Sequence, residues 1–232
     1  MVTTGEALRL QLINALGLKA SHVVSVPTGI DLQRFTKTKK IDLGIPAGAF
    51  VFGIVATLRS WKGHRHLLDA LSQMAHRDAR LAIVGDGPQR AALETQTDRL
   101  GLRERVTFAG QQNDVAPWLA ALDVFALPSY ANEGVPQALL QAMFAGVPCI
   151  TTGAGAIPEI ARDGATARVV AAEDPAALAA GLDALLDDRA SALRFAAAAQ
   201  AFVTPRYGLD TMLDRMDRVF RRAIDERGVS LR

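Results

Sequence analysis

The chain has 232 residues, half of them apolar, and its 26 basic and 24 acidic residues leave a net charge of +2. That is enough apolar material for a real core, in one large domain or two small ones. The charges are interspersed, which excludes a nucleic-acid footprint, and a single cysteine, Cys149, excludes a disulfide framework and points to a reducing compartment.

Apolar runs break at Gly, Pro or a charge well short of membrane-spanning length, and Glu6 and Arg9 interrupt any secretory signal. A soluble, cytoplasmic protein is therefore the expectation. The opening "MVTTGEALRLQLINALGL" reads as the end of a strand followed by a helix, so the fold begins in mid-unit, as a fragment would. Short runs rich in Val, Ile and Phe follow at 22–29, 49–58, 80–87, 105–110, 123–129, 147–153 and 167–172. Each is closed by Gly, Pro, Ser or a small residue and reads as a buried strand.

Helical spacing fills the intervals. "KGHRHLLDALSQMA" puts Leu67, Leu68, Leu71 and Met74 on one face, and "PQRAALETQTDRLG" has Pro at its start and Gly at its end. From Pro175 to Ala201 the chain is dominated by Ala, Leu and Asp and reads as packed helices; an amphipathic helix is predicted from Gly208 to Glu226. Strand–helix alternation with short connections predicts an α/β fold: a Rossmann-like parallel sheet with helices on both faces. No repeat is present. The seam between units falls at 32–49, where basic, Pro and Gly residues cluster.

The stretch "NEGVPQALLQAMFAGVP" (132–148) carries the most suggestive chemistry. Pro136 stands where a helix begins, and the free N–H groups of a first helical turn attract anions. Gly134 permits close approach to the backbone. Gln137 and Gln141 share a face one turn apart. The preceding strand, "DVFALPS", delivers Glu133 to the carboxyl edge of the sheet, where such folds bind ligands. On spacing alone a plain strand–loop–helix packing unit with a capping acid is the favoured reading, because short motifs often match by chance.

Taken in order, "VPTGIDLQRF", "ATLRSWKG", "LAIVGDGPQR" and "VTFAGQQNDVAPWLAALDVFALPSYANEGVPQALLQAMFAGVPCITTGAGAIPEIARDG" resemble the C-terminal half of the retaining GT-B glycosyltransferases of family 4. The resemblance covers about residues 1 to 226. It implies a donor-binding domain at 36–205, a remnant of an N-terminal acceptor domain with the interdomain linker at 1–35, and a C-terminal helix at 206–232 that packs back on the acceptor domain. It also implies site roles. Glu133 matches the acid that contacts the donor sugar, and Gly134, Val135 and Pro136 match the loop facing sugar and diphosphate. Gln141 stands where the family has a second acid for the ribose, and an amide can also serve a diol. Lys62 matches the lysine that neutralises the diphosphate. The family's neighbouring arginine aligns with Thr57, and Arg59 is the substitute. Gly85 and Gln112 lie in loops matching those around the nucleotide, and Glu159 matches a position near the donor.

His64 and His66 read as surface residues, Trp61 and Trp118 as packing, and Asp114 as a helix cap. No metal site or cofactor is expected: there is no Asp-x-Asp motif, and Lys62 with the helix tip would do the work of a metal. The implied function is donor binding in a hexosyltransferase using a UDP-, GDP- or ADP-sugar, in bacterial polysaccharide or lipopolysaccharide assembly. An isolated fragment would turn over little. The implied partners are the nucleotide sugar and an acceptor domain or separate acceptor subunit. Any peripheral contact with the inner membrane face would run through that other domain. Two alternatives remain open, a non-catalytic nucleotide-binding subunit of a split transferase and a UDP-sugar epimerase of the same fold.

Overall fold

The computed structural model describes residues 1–35, 38–46, 48–131 and 133–226. Thr36, Lys37 and Ala47 of the expected seam lie outside the described residues, as do Asn132 and the last six positions of the expected C-terminal segment.

The chain opens with β1 (Val2–Thr3), α1 (Glu6–Leu16) and β2 (Val24–Ser25). The main sheet is built from β3 (Val51–Val55), β4 (Arg80–Val84), β5 (Val106–Gly110), β6 (Val124–Leu127), β7 (Cys149–Thr152) and β8 (Arg168–Val170). Its order is β5-β4-β3-β6-β7-β8, and every pairing is parallel. The helices are α2 (His64–Gln73), α3 (Arg90–Arg99), α4 (Ala116–Ala120), α5 (Gln137–Phe144), α6 (Pro175–Asp187), α7 (Arg189–Tyr207) and α8 (Leu209–Asp225). This is the α/β class that the alternation predicts. The central strands are covered on both faces, and so Phe52, Ile54, Ile83 and Phe125 are all buried in uninterrupted apolar runs.

The run at 22–29 departs from expectation. Only two of its residues form a strand, and they pair with β1 in a separate two-stranded ladder, Val2 beside Val24. Pro27 has no N–H to continue the ladder. Helix boundaries have legible causes. The Asp174 carboxylate accepts the Ala177 N–H ahead of Pro175, and Asp188 accepts from Ser191 where α7 begins. One contiguous core runs from Ile30 to Tyr207. Neither α1 nor α8 contributes a buried residue, and Leu213 and Phe220 of α8 are exposed. No helix among the described residues is long and apolar enough to cross a membrane.

The strand order reverses between β3 and β6. Chains leaving the carboxyl ends of these two strands turn in opposite directions, the topological position at which open α/β sheets bind ligands. The loop after β3 is pressed against the loop after β6 at Gly63. That residue has φ 79°, and a methyl group there would lie 2.2 Å from the Pro128 carbonyl oxygen. Gly63→Ala combines a left-handed backbone with this overlap and is expected to cost about 2–4 kcal/mol, read as a lowered urea midpoint. An unchanged midpoint would contradict the tight apposition of the two loops.

Candidate functional site

The two loops flanking the reversal bring one ammonium and one carboxylate together. Lys62 ends a short 3-10 turn (Ser60–Lys62) after β3, and Glu133 lies in the loop between β6 and α5. The Lys62 Nζ is 2.6 Å from Glu133 Oε1, with the Glu133 side chain 4% exposed and that of Lys62 21% exposed. Ser129, fully buried, donates its hydroxyl to the same Oε1 at 2.6 Å. Its own carbonyl accepts the hydroxyl of Thr152 at the end of β7. Among the described residues Glu133 Oε2 has no hydrogen-bond partner, and it is not sealed from solvent.

The Glu133 backbone is held as firmly as its side chain. Its carbonyl accepts the Ala156 N–H at 3.0 Å, and Gly155, at φ 56°, passes so close that a methyl there would lie 2.1 Å from that oxygen. Next in the chain, Gly134 packs on Thr4, and Val135 donates its N–H to the Thr4 carbonyl at 3.3 Å. The segment after β1 therefore takes one amide of the loop that the resemblance has facing sugar and diphosphate. Pro136 is also not the first helical residue. It is the N-cap of α5, with extended backbone, and Gln137 opens the helix. The first-turn N–H groups of α5, which have no partner among the described residues, still point out of the helix end at the carboxyl edge of the sheet.

The other candidates are less concentrated. Gln141 is half-buried on α5, and its side chain makes no hydrogen bond among the described residues. Arg59 is exposed, with its guanidinium 5.8 Å from the Trp61 ring centre. Gly85, at φ 134°, abuts the Ala56 carbonyl after β3, which is reason enough for a glycine there. Gln112 spends its amide on the Ala109 carbonyl at 2.7 Å. Glu159 accepts the Ala7 N–H at 2.9 Å and so caps α1. Asp114 accepts the Ala116 N–H and pairs with Arg34 at 3.3 Å. No cluster of three metal-ligating side chains occurs among the described residues.

The histidines correct the surface expectation. His64 is 2% exposed, and neither of its ring nitrogens meets the geometry of a hydrogen bond with any described residue. Burial pulls its pKa down to about 4; the Arg59 carbonyl opposes the shift and the charge of Lys62 adds to it. The ring nitrogens of His66 are sealed as well, with the ring edge-on to Tyr130 at 6.1 Å, and burial followed by Arg65 lowers its pKa. The signal was available: His64 continues the buried i, i+3, i+4, i+7 stripe of Leu67, Leu68 and Leu71. Ser129 and Thr152 were missed too, and their only sequence trace is a hydroxyl residue at a strand end.

A parallel sheet with a reversed strand order, bearing a cation and an acid on the two loops at the reversal, defines a Rossmann-like ligand-binding domain. Comparison with known proteins gives the family. The pattern of "Glycosyl transferases group 1" matches residues 49–188, more than half the chain, and the chain belongs to that family. It is 31% identical over 228 residues to the phosphatidyl-myo-inositol mannosyltransferase of Mycobacterium tuberculosis, covering 94% of this chain and 58% of that protein. It is 33% identical over 183 residues to the lipopolysaccharide core biosynthesis glycosyltransferase LpsD of Rhizobium meliloti, covering 77% and 52%. Among solved structures it superposes on Anabaena Alr3699/HepE in complex with UDP-glucose with a TM-score of 0.87 and 27% identity, covering 95% of this chain and 63% of that one. The chain thus spans between half and two thirds of these relatives.

Keeping His64 neutral has a pH signature. The folded-state value lies below the unfolded value near 6.5, so this contribution to stability is complete above pH 6.5 and is lost as pH falls toward 4. His64→Leu removes the two ring nitrogens and the titration. Its stability relative to wild type should rise by about 2 kcal/mol on going from pH 8 to pH 5, measured by denaturant melts. A pH-independent difference would mean that His64 is not buried.

Proposed function

We propose that this chain is the nucleotide-sugar donor-binding part of a retaining hexosyltransferase, serving bacterial surface-glycan or lipopolysaccharide assembly. One observation carries the reading. Lys62 and Glu133 meet at the point where the strand order reverses, beside the N-terminus of α5. The family membership, the printed function of LpsD and the UDP-glucose complex of the Anabaena protein support it.

In this reading the diphosphate sits between the ammonium of Lys62 and the first-turn N–H groups of α5. Departure of the nucleoside diphosphate concentrates negative charge on its terminal phosphate. Lys62 and the helix end stabilise that charge in place, with no reorganisation at the moment of reaction. Glu133 Oε2, without a partner among the described residues, accepts a hydroxyl of the donor sugar. Gln141, one turn into α5, reaches the ribose diol. Arg59 adds charge from the loop after β3, and Gly85 and Gln112 border the nucleotide. Residues 36–205 form the donor domain, with 1–35 and 206–232 belonging with an acceptor-binding part. Catalysis requires both reactants to be oriented together, so the chain by itself binds donor and transfers little. Its place of work is the cytoplasm, with any membrane contact made by the acceptor-binding part.

Calorimetric titration with UDP, GDP and ADP and with their sugar conjugates tests the reading. One base series should bind, and Lys62→Met should weaken both the bare and the sugar-bearing forms by about 10- to 100-fold, as expected for a lost charge-assisted bond. A folded chain that binds none of them at millimolar concentration would end this assignment.

A further inference from the structure

The two donors on Glu133 Oε1 differ in kind. Lys62 is a long, flexible side chain with the charge that a diphosphate attracts. Ser129 is a short neutral donor on the end of β6, fully buried, with its carbonyl fastened by the Thr152 hydroxyl from β7. When an anion draws on the Lys62 ammonium, Ser129 is the protein donor left holding the carboxylate. Oε1 is occupied by the protein, whereas Oε2 has no hydrogen-bond partner among the described residues.

We infer that Ser129 is a positioning residue for sugar recognition: it locks the Glu133 carboxylate so that Oε2 faces a hydroxyl of the donor sugar, and Thr152 fixes Ser129 in turn. The inference rests on the donor-binding reading above and adds a residue and a division of labour to it. Lys62 serves the diphosphate, whereas the chain Thr152–Ser129–Glu133 serves the sugar alone. Without the Ser129 hydroxyl the carboxylate can rotate, and Oε2 loses its fixed direction toward the sugar while Lys62 keeps its partner.

The test compares bare and sugar-bearing nucleotides on the same protein: UDP with UDP-glucose, GDP with GDP-mannose and ADP with ADP-glucose, read in whichever pair the wild-type chain binds. Ser129→Ala should weaken the sugar-bearing form about 10-fold and leave the bare nucleotide within 2-fold, and Ser129→Thr, which keeps the hydroxyl, should restore the difference. Thr152→Val should act in the same direction with a smaller loss. It carries the comparison if far-UV circular dichroism shows Ser129→Ala to be unfolded. Equal weakening of both forms, or no change in either, overturns the inference while leaving the donor site standing. A folded wild-type chain that binds no member of any pair overturns both.

Discussion

The contact between Lys62 and Glu133 organises the site. It joins the loops after β3 and β6, the two strands between which the sheet changes direction. A carboxylate this deeply withdrawn from water pays a desolvation cost that a single ion pair does not clearly repay, so such pairs are weak devices for stability. Removing one partner is worse, since the other is left uncompensated, at a cost of about 3–5 kcal/mol. Here the pair does not close on itself. One carboxylate oxygen is bonded by Lys62 and Ser129, and the other has no hydrogen-bond partner among the described residues. An ammonium and a half-satisfied carboxylate at the carboxyl edge of the sheet suit a ligand with anionic and hydroxyl groups side by side.

The surrounding backbone exists to hold that arrangement. Gly63 brings the Lys62 turn against Pro128, and Gly155 lies against the Glu133 carbonyl while the neighbouring Ala156 N–H binds it. Thr152 ties the end of β7 to the end of β6. Three strand ends are therefore joined by hydrogen bonds and close backbone contacts around one carboxylate. Parallel strands put all their carboxyl ends on one edge, which is why residues distant in sequence can converge there. The segment after β1 then closes over the far side of the loop, where Thr4 takes the Val135 amide and Glu159 caps α1.

The strands of the main sheet were legible because parallel strands buried on both faces appear as unbroken apolar runs ended by Gly, Pro or Ser. The first run was the exception, and Pro27 shows why an apolar stretch need not join the sheet. Helix α5 was legible in position but not in detail, since Pro136 suits the N-cap as well as the first turn. Lys62 and Glu133 could be singled out from ordered motifs, but no local spacing reveals that residues 71 apart touch. Ser129 and Thr152 had no distinguishing mark, because serine and threonine at strand ends are commonplace turn residues. His64 was misread for a different reason. The charged company in "KGHRH" suggested solvent, whereas the helical stripe leading to Leu71 decided its burial.

A crystal structure of the folded chain with UDP-glucose, or with whichever nucleotide sugar it binds, tests the central claim most directly. The account predicts the two phosphates between the Lys62 ammonium and the first turn of α5, with a sugar hydroxyl within hydrogen-bond distance of Glu133 Oε2. A nucleotide sugar bound elsewhere, with the carboxyl edge between β3 and β6 holding only solvent, would contradict it.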